Sequence, residues 1–297
     1  MNDARAAGLP GYVREEELVE RNGILVRPDD EVSEYRRQWE DEATDNHVAS
    51  AIGRGSGGDD DFATLTAKVP ALWARFPAGH EVENVLEIGS GYGRILLYLA
   101  HERRLTWSSY CAIDISETML RRLLEYGRRF DGVRADSLVP ICVSADALPL
   151  QPDSFDLVLS SAVFLHMGKG HVMRTLAEIA RVLRPGGSFV FDVSFPNARN
   201  LASVASRLKP SRFRPPHFMK YWTRGEVEAA LRNSGLAEKS GSFTIEPGAY
   251  ALLPKNVGPL QVPLSRRINT ALEASPVALR QRLAVSFNAF STGLLAA

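Results

Sequence analysis

Val85-Leu86-Glu87-Ile88-Gly89-Ser90-Gly91-Tyr92-Gly93-Arg94 is a short apolar run that breaks into three alternate glycines and then opens a helical pattern. The run reads as a buried strand. Glycines suit the turn after it because a ligand that must touch backbone is held away by any Cβ. The helix start that follows supplies unpaired N–H groups suited to a carboxylate or phosphate. A turn of this kind also serves dinucleotide enzymes, but the position three after Gly91 is Arg94, which departs from their glycine spacing.

Working outward, short apolar runs alternate with helical stretches, the signature of βαβ units and a parallel sheet covered on both faces. The spacing predicts strands at Asn84–Ile88, Tyr110–Ile115, Pro140–Ala145, Phe155–Ser160 and Ser188–Phe195. Helices are predicted near Arg94–Glu102, Glu117–Phe130 and His171–Leu183. Right-handed crossovers make this a doubly wound α/β sheet, which binds ligands beyond the carboxyl ends of its strands. Upstream, Phe62, Leu65, Val69, Leu72, Trp73 and Phe76 recur at helical spacing and predict one helix ended by Pro77. Residues 1–61 read as an N-terminal helical arm or lid, with Tyr35 and Trp39 on one face, running into a Gly/Asp-rich loop at 53–61 that serves as a hinge. Residues 62–253 form the core, and 254–297 are an extension that completes the sheet or a lid. Within the core, 196–220 is rich in Pro and basic residues and reads as an insertion. Thr223 and Glu226 are spaced as a capping box, and Gly235 closes that helix. Weaker β-like runs follow at Phe243–Leu253 and Leu283–Phe290, around a helix-like stretch at Leu264–Leu272.

The opening motif, together with four later ones in the expected order, resembles the class I S-adenosylmethionine-dependent methyltransferases, nearest their small-molecule, quinone-biosynthesis-like branch. The later motifs are Ala112-Ile113-Asp114-Ile115-Ser116, Ser144-Ala145-Asp146-Ala147-Leu148-Pro149, Phe155 to Ser160, and Val182 to Gly187, so the likeness covers about 84–195. It implies a Rossmann-like, mostly parallel seven-stranded sheet and S-adenosylmethionine as cofactor. It also implies methyl transfer to an O, N or C atom of a small-molecule acceptor. By the same resemblance Glu87 orients the methionine amino group, and the backbone of Gly89, Ser90, Gly91, Tyr92 and Gly93 approaches the methionine and ribose. Asp114 takes the ribose hydroxyls. Adenine lies between Ile115 and Leu148, with Asp146 and the Ala147 amide on its edge; Met119 joins this set. The sulfonium then points over Ser160 and Ser161. Taken singly, Asp114 also reads as a helix N-cap and Asp156 as a strand-edge acid.

Methyl transfer from a sulfonium is an in-line displacement that orientation and exclusion of water largely supply. A base is needed only where the acceptor must lose a proton, and His166 is the candidate. The blander reading, a histidine packed on the cofactor or bonded to a carbonyl, is the commoner one for such a residue. His171 reads as the start of the next helix, and no carboxylate cluster beside it suggests a metal. The basic stretch Arg207–Lys220 reads either as a lid that meets an anionic acceptor or as a solvated loop. Two other readings stay open. One is a different enzyme on this fold, an aminopropyl transferase or nicotinamide-dependent oxidoreductase; the other is a binding module without turnover.

Bulk properties narrow the partners. The 297 residues carry 35 basic and 35 acidic side chains, so the usual electrostatic footprint for nucleic acid is absent. Cys111 and Cys142 are the two cysteines, each inside a predicted strand, and read as small core residues of a reducing compartment. With no apolar leader pattern in residues 1–10 and no membrane-length apolar run, a cytoplasmic location is expected.

Overall fold

A computed structural model describes residues 9–28, 65–66, 69–200, 220–248, 275–276, 279–280 and 283–295. Its centre is a nine-stranded sheet. In chain order the strands are β1 (Val19–Arg21), β2 (Ile24–Val26), β3 (His80–Ile88), β4 (Leu105–Asp114), β5 (Leu138–Cys142), β6 (Phe155–Ser161), β7 (Leu183–Pro196), β8 (Phe243–Pro247) and β9 (Ser286–Ser291). Across the sheet they lie in the order β1-β2-β5-β4-β3-β6-β7-β9-β8. All pairs from β2 to β7 are parallel, while β1 with β2, β7 with β9 and β9 with β8 are antiparallel. The order reverses direction at β3, between β4 and β6, which is where an open α/β sheet forms its binding crevice.

The mostly parallel Rossmann-like architecture stands as expected, and the two extra strands come from the N-terminal segment. Residues 1–61 are predicted as a helical arm, yet the described part, 9–28, forms a hairpin that adds β2 to the edge of β5. Asn22 and Gly23 both take positive φ, 54° and 81°, the turn that matches the twist of two-residue hairpins. The helix predicted over Phe62–Phe76 is also revised. Pro70 sits extended at φ −62°, ψ 147°, and Ala71–Arg75 is a short 3₁₀ segment. Proline disfavours helical backbone in the residue before it and removes an N–H, so the apolar period does not continue as one helix. Tyr35, Trp39, the 53–61 loop, Arg207–Arg214, His217 and the 264–272 stretch lie outside the described residues.

Helices α1 (Arg94–His101), α2 (Glu117–Arg129), α3 (Lys169–Val182), α4 (Arg224–Asn233) and α5 (Leu236–Ser240) follow from local sequence. In α2, the Ser116 hydroxyl accepts from Met119 N, Glu117 occupies the first turn and Arg128 and Arg129 the last, as cap and dipole require. Its Leu120, Leu123 and Leu124 are buried in the layer against the sheet, and its Met119 and Tyr126 pack with Tyr92 and Leu97. The Thr223–Glu226 capping box is present at α4, and Gly235 follows that helix with φ 85°. Two apolar layers sandwich the sheet, one containing Leu86, Ile88, Val158, Phe189 and Phe191, the other Trp73, Val85, Ala112, Leu157 and Leu159. Cys111 and Cys142 are free and buried, and burial pushes the Cys111 thiol far up. Among the described residues, no helix is long and apolar enough to cross a membrane.

Candidate functional site

Strand β3 delivers its last buried residue, Ile88, to the crevice, and the chain turns at Gly89 and Gly91 with φ of 68° and 54°. A Cβ on Gly89 would sit 2.2 Å from Val163 Cγ2, so only glycine fits between the two strand tips. At Gly91 nothing lies within 4 Å of the same position, which leaves bare backbone facing open space. Helix α1 begins three residues later. Asp114, the last residue of β4, accepts from Gly91 N at 2.8 Å through Oδ2 and from Ser116 N at 2.9 Å through Oδ1. The carboxylate therefore ties the elbow to the neighbouring strand tip. Ser116, rather than Asp114, caps α2. Each carboxylate oxygen has about two acceptor directions, so these bonds leave Asp114 capacity for further donors.

A cavity of about 290 Å³ opens over this elbow. Of the residues singled out in the sequence, Gly89, Ser90, Gly91, Tyr92, Asp114, Ile115, Met119, Ser161 and His166 line it. Glu87, Gly93, Asp146, Ala147, Leu148 and Ser160 do not appear in its wall. Glu87 is 2% exposed and accepts from Tyr110 Oη at 2.7 Å; burial pushes its carboxyl up to about 8, against the Tyr110 bond and the Arg94 charge. Asp146 is engaged by neighbouring side chains. Its Oδ1 accepts from Ser144 Oγ at 2.6 Å and its Oδ2 from Arg174 Nε at 3.0 Å. Desolvation opposes ionisation of Asp146, but the Ser144, His171 and Arg174 contacts outweigh it and hold the carboxyl low. Leu148 is buried, and its N–H donates to Glu178 at 2.8 Å.

Val143, Ala162, Val163 and Met167, assigned no role from sequence, join Ser144, Ala145, Ser161 and His171 in completing the wall. Val143, Ser144, Ala145 and His171 close one end, and Ser161, Ala162, Val163 and Met167 the other. His171 Nε2 lies 3.3 Å from Ser144 Oγ and 3.4 Å from Asp146, and burial holds its pKa down despite that carboxylate. Ala162 leaves β6 at φ 59° with its N–H on the Asp192 carbonyl. Asp156 is structural: Oδ2 accepts from Asn84 N and Oδ1 from Arg184, at the opposite end of β6 from the cavity. Among the described residues no three metal-capable side chains come together.

The bare elbow, the helix start and an acid at the adjacent strand tip fit a nucleoside bearing an amino-acid tail. Comparison with known proteins agrees. A family model described as a methyltransferase domain matches residues 86–191. A malonyl-[acyl-carrier protein] O-methyltransferase of Geobacter sulfurreducens is 30% identical over 194 residues, covering 63% of this chain and 69% of that one. Its counterpart in Alcanivorax borkumensis is 30% identical, with 64% of this chain and 61% of that one covered. A phthiotriol/phenolphthiotriol dimycocerosates methyltransferase of Mycobacterium tuberculosis is 35% identical over 117 residues, 39% of either chain. Among solved structures, a chain from the Haloferax volcanii complex of the Trm112 activator with a methyltransferase matches at TM-score 0.55. It is 21% identical and covers 86% of this chain and 96% of that one, a likeness of fold.

Proposed function

The chain belongs to the class I S-adenosylmethionine-dependent methyltransferases, and from that premise we propose that it methylates an oxygen of a small acceptor derived from an acyl chain. Family membership makes it an enzyme and makes S-adenosylmethionine its cofactor. The observation that carries the reading of the site is the Gly89–Gly91 elbow held against the Asp114 carboxylate at the rim of one continuous cavity. When bound, the cofactor supplies a methyl group on a sulfonium that needs no further activation. Asp114 holds the ribose, Ile115 and Met119 pack the base, and the elbow meets the methionine. Because Asp146 is engaged by Ser144 and Arg174, the wall at the adenine end is formed by Ser144, Ala145 and His171.

The acceptor end is the wall of Ser161, Ala162, Val163, His166 and Met167, mostly apolar with one imidazole. Such a wall suits a hydrocarbon-bearing acceptor. The names of the relatives point the same way, toward an acyl-carrier-bound malonyl group and a lipid alcohol. A carboxylate acceptor is already a nucleophile and needs no base, whereas a hydroxyl must lose a proton, and His166 in the cavity wall is the candidate to take it. Acceptor choice is assigned to residues 1–61 and 254–297, which flank the core in the sequence.

The test offers malonyl thioesters, hydroxyacyl thioesters and long-chain diols with methyl-labelled cofactor and identifies products by mass spectrometry. A methyl ester or methyl ether is expected. With a hydroxyl acceptor His166→Asn lowers kcat at least tenfold, and with a carboxylate acceptor it leaves kcat within about threefold. Transfer to amines alone contradicts the oxygen assignment.

A further inference from the structure

Asp192 is a carboxylate inside an apolar strand, 1% exposed, in the run Phe189-Val190-Phe191-Asp192-Val193-Ser194-Phe195. A buried acid there needs a reason, since isolated charge is costly in such surroundings. The backbone around it is also unusual. Between the pairs Phe191↔Ala289 and Phe195↔Phe287, β7 has three residues where β9 has Asn288 alone. Val193, in the middle of that bulge, has φ 48°, a conformation that β-branched side chains rarely adopt. Asn288 Oδ1 accepts its N–H at 3.0 Å, replacing the lost ladder bond. On the partner strand, Ala162 leaves at φ 59° beside the paired residues Ser161 and Asp192. Two left-handed residues, one inside the β7 bulge and one just past the end of β6, thus flank one carboxylate.

That carboxylate stands directly behind the cavity wall. Its Oδ2 accepts from Ser161 Oγ at 3.2 Å and from Trp73 Nε1 at 3.1 Å, and Ser161 lines the cavity. Burial pushes its carboxyl up to about 6, while the Trp73 and Ser161 bonds, the Arg94 charge and the Val193 amide pull it back. Arg94, at the start of α1, is the charged side chain in its field among the described residues; Arg75, two residues from Trp73, is turned to Glu246 instead. Strands β6 and β9 present Ser161 and Asn288, which are neutral.

We propose that Asp192 is a positioning residue whose negative charge, held behind Ser161, favours the sulfonium form of the cofactor over its neutral thioether product. The inference rests on the reading that the cavity holds S-adenosylmethionine with its sulfur over Ser161. Methyl transfer removes the positive charge from sulfur, so the attraction is present before transfer and gone after it. The methionine ammonium is common to both forms and cancels in their ratio. Sign follows from titration: the counter-charge is present above about pH 6 and fades as pH falls through that value.

Calorimetry of the full chain with S-adenosylmethionine and S-adenosylhomocysteine separates the possibilities. At pH 7.5 the ratio of homocysteine-form to methionine-form Kd is expected to fall by about fivefold in Asp192→Asn, a charge pair of modest strength across a partly screened gap. In the wild type the same ratio declines on going from pH 7.5 to pH 5. Ser161→Ala removes a bond to the ionised acid, so the midpoint of that decline moves to higher pH; this variant decides the matter if Asp192→Asn does not fold. Equal weakening of both ligands in Asp192→Asn, or an unmoved midpoint in Ser161→Ala, overturns the inference while leaving the cofactor reading intact. Failure of the wild type to bind either ligand overturns both.

Discussion

Asp114→Ala removes a side chain with two roles, one inside the protein and one toward the ligand. In the structure its oxygens accept Gly91 N at 2.8 Å and Ser116 N at 2.9 Å. Hydrogen bonds to a charged acceptor contribute about 1.5–3 kcal/mol each. Gly91 borders the open cavity, so water replaces part of what its amide loses, whereas Ser116 is buried, and the fold is expected to lose about 1–3 kcal/mol. Toward the ligand, losing the acceptor for the ribose hydroxyls costs roughly 1.5–3 kcal/mol after water compensates, a rise in Kd of about 10- to 150-fold. Asp114→Asn retains one carbonyl acceptor and falls between. Calorimetric titration with S-adenosylhomocysteine gives the affinity, and chemical denaturation gives the stability. A folded Asp114→Ala protein whose Kd stays within threefold of wild type refutes the ribose role.

Gly89→Ala forces a Cβ to 2.2 Å from Val163 Cγ2 at φ 68°, so a loss of about 1–3 kcal/mol in stability and a large loss of cofactor affinity are expected. Adding Val163→Ala relieves the clash but not the φ penalty, so denaturation should show partial rescue. Glu87, raised to about 8 by burial, binds its proton in the fold at pH values where the unfolded chain has released it. Its contribution therefore falls as pH rises from its unfolded pKa toward 8, and Glu87→Gln should flatten the stability–pH curve across that window. Thr223→Ala breaks the capping box of α4 and should cost about 1 kcal/mol by denaturation, with cofactor affinity unchanged.

The parallel strands β3 to β7 were legible because each carries a compact apolar run between helical patterns, and the elbow was legible because its glycines are forced by φ and by Val163. Other features required tertiary context. The hairpin at Val19–Val26 carried a local signal, Asn22-Gly23 between two short β-prone runs, but the charges around it hid the alternation. Pro70 lay inside an otherwise helical apolar period, and that period came from packing on the sheet rather than from one continuous helix. Asp146 reads as a cavity acid from its motif; only the fold brings Arg174 and His171 from α3 onto its carboxylate. Asp192 was the clearest missed signal. A lone acid among Phe and Val in a central strand marks either a structural exception or a site, and its bonds to Trp73 and Ser161 appear only once β6, β7 and the 71–75 segment are brought together.

A crystal structure of the full chain grown with saturating S-adenosylhomocysteine tests the central claim most directly. The account predicts density in the cavity with both ribose hydroxyls on Asp114, the amino-acid tail along Gly89–Gly91 and the sulfur facing Ser161. A ligand bound elsewhere, or a cavity left to solvent while Gly89, Gly91 and Asp114 keep the geometry described, would contradict it.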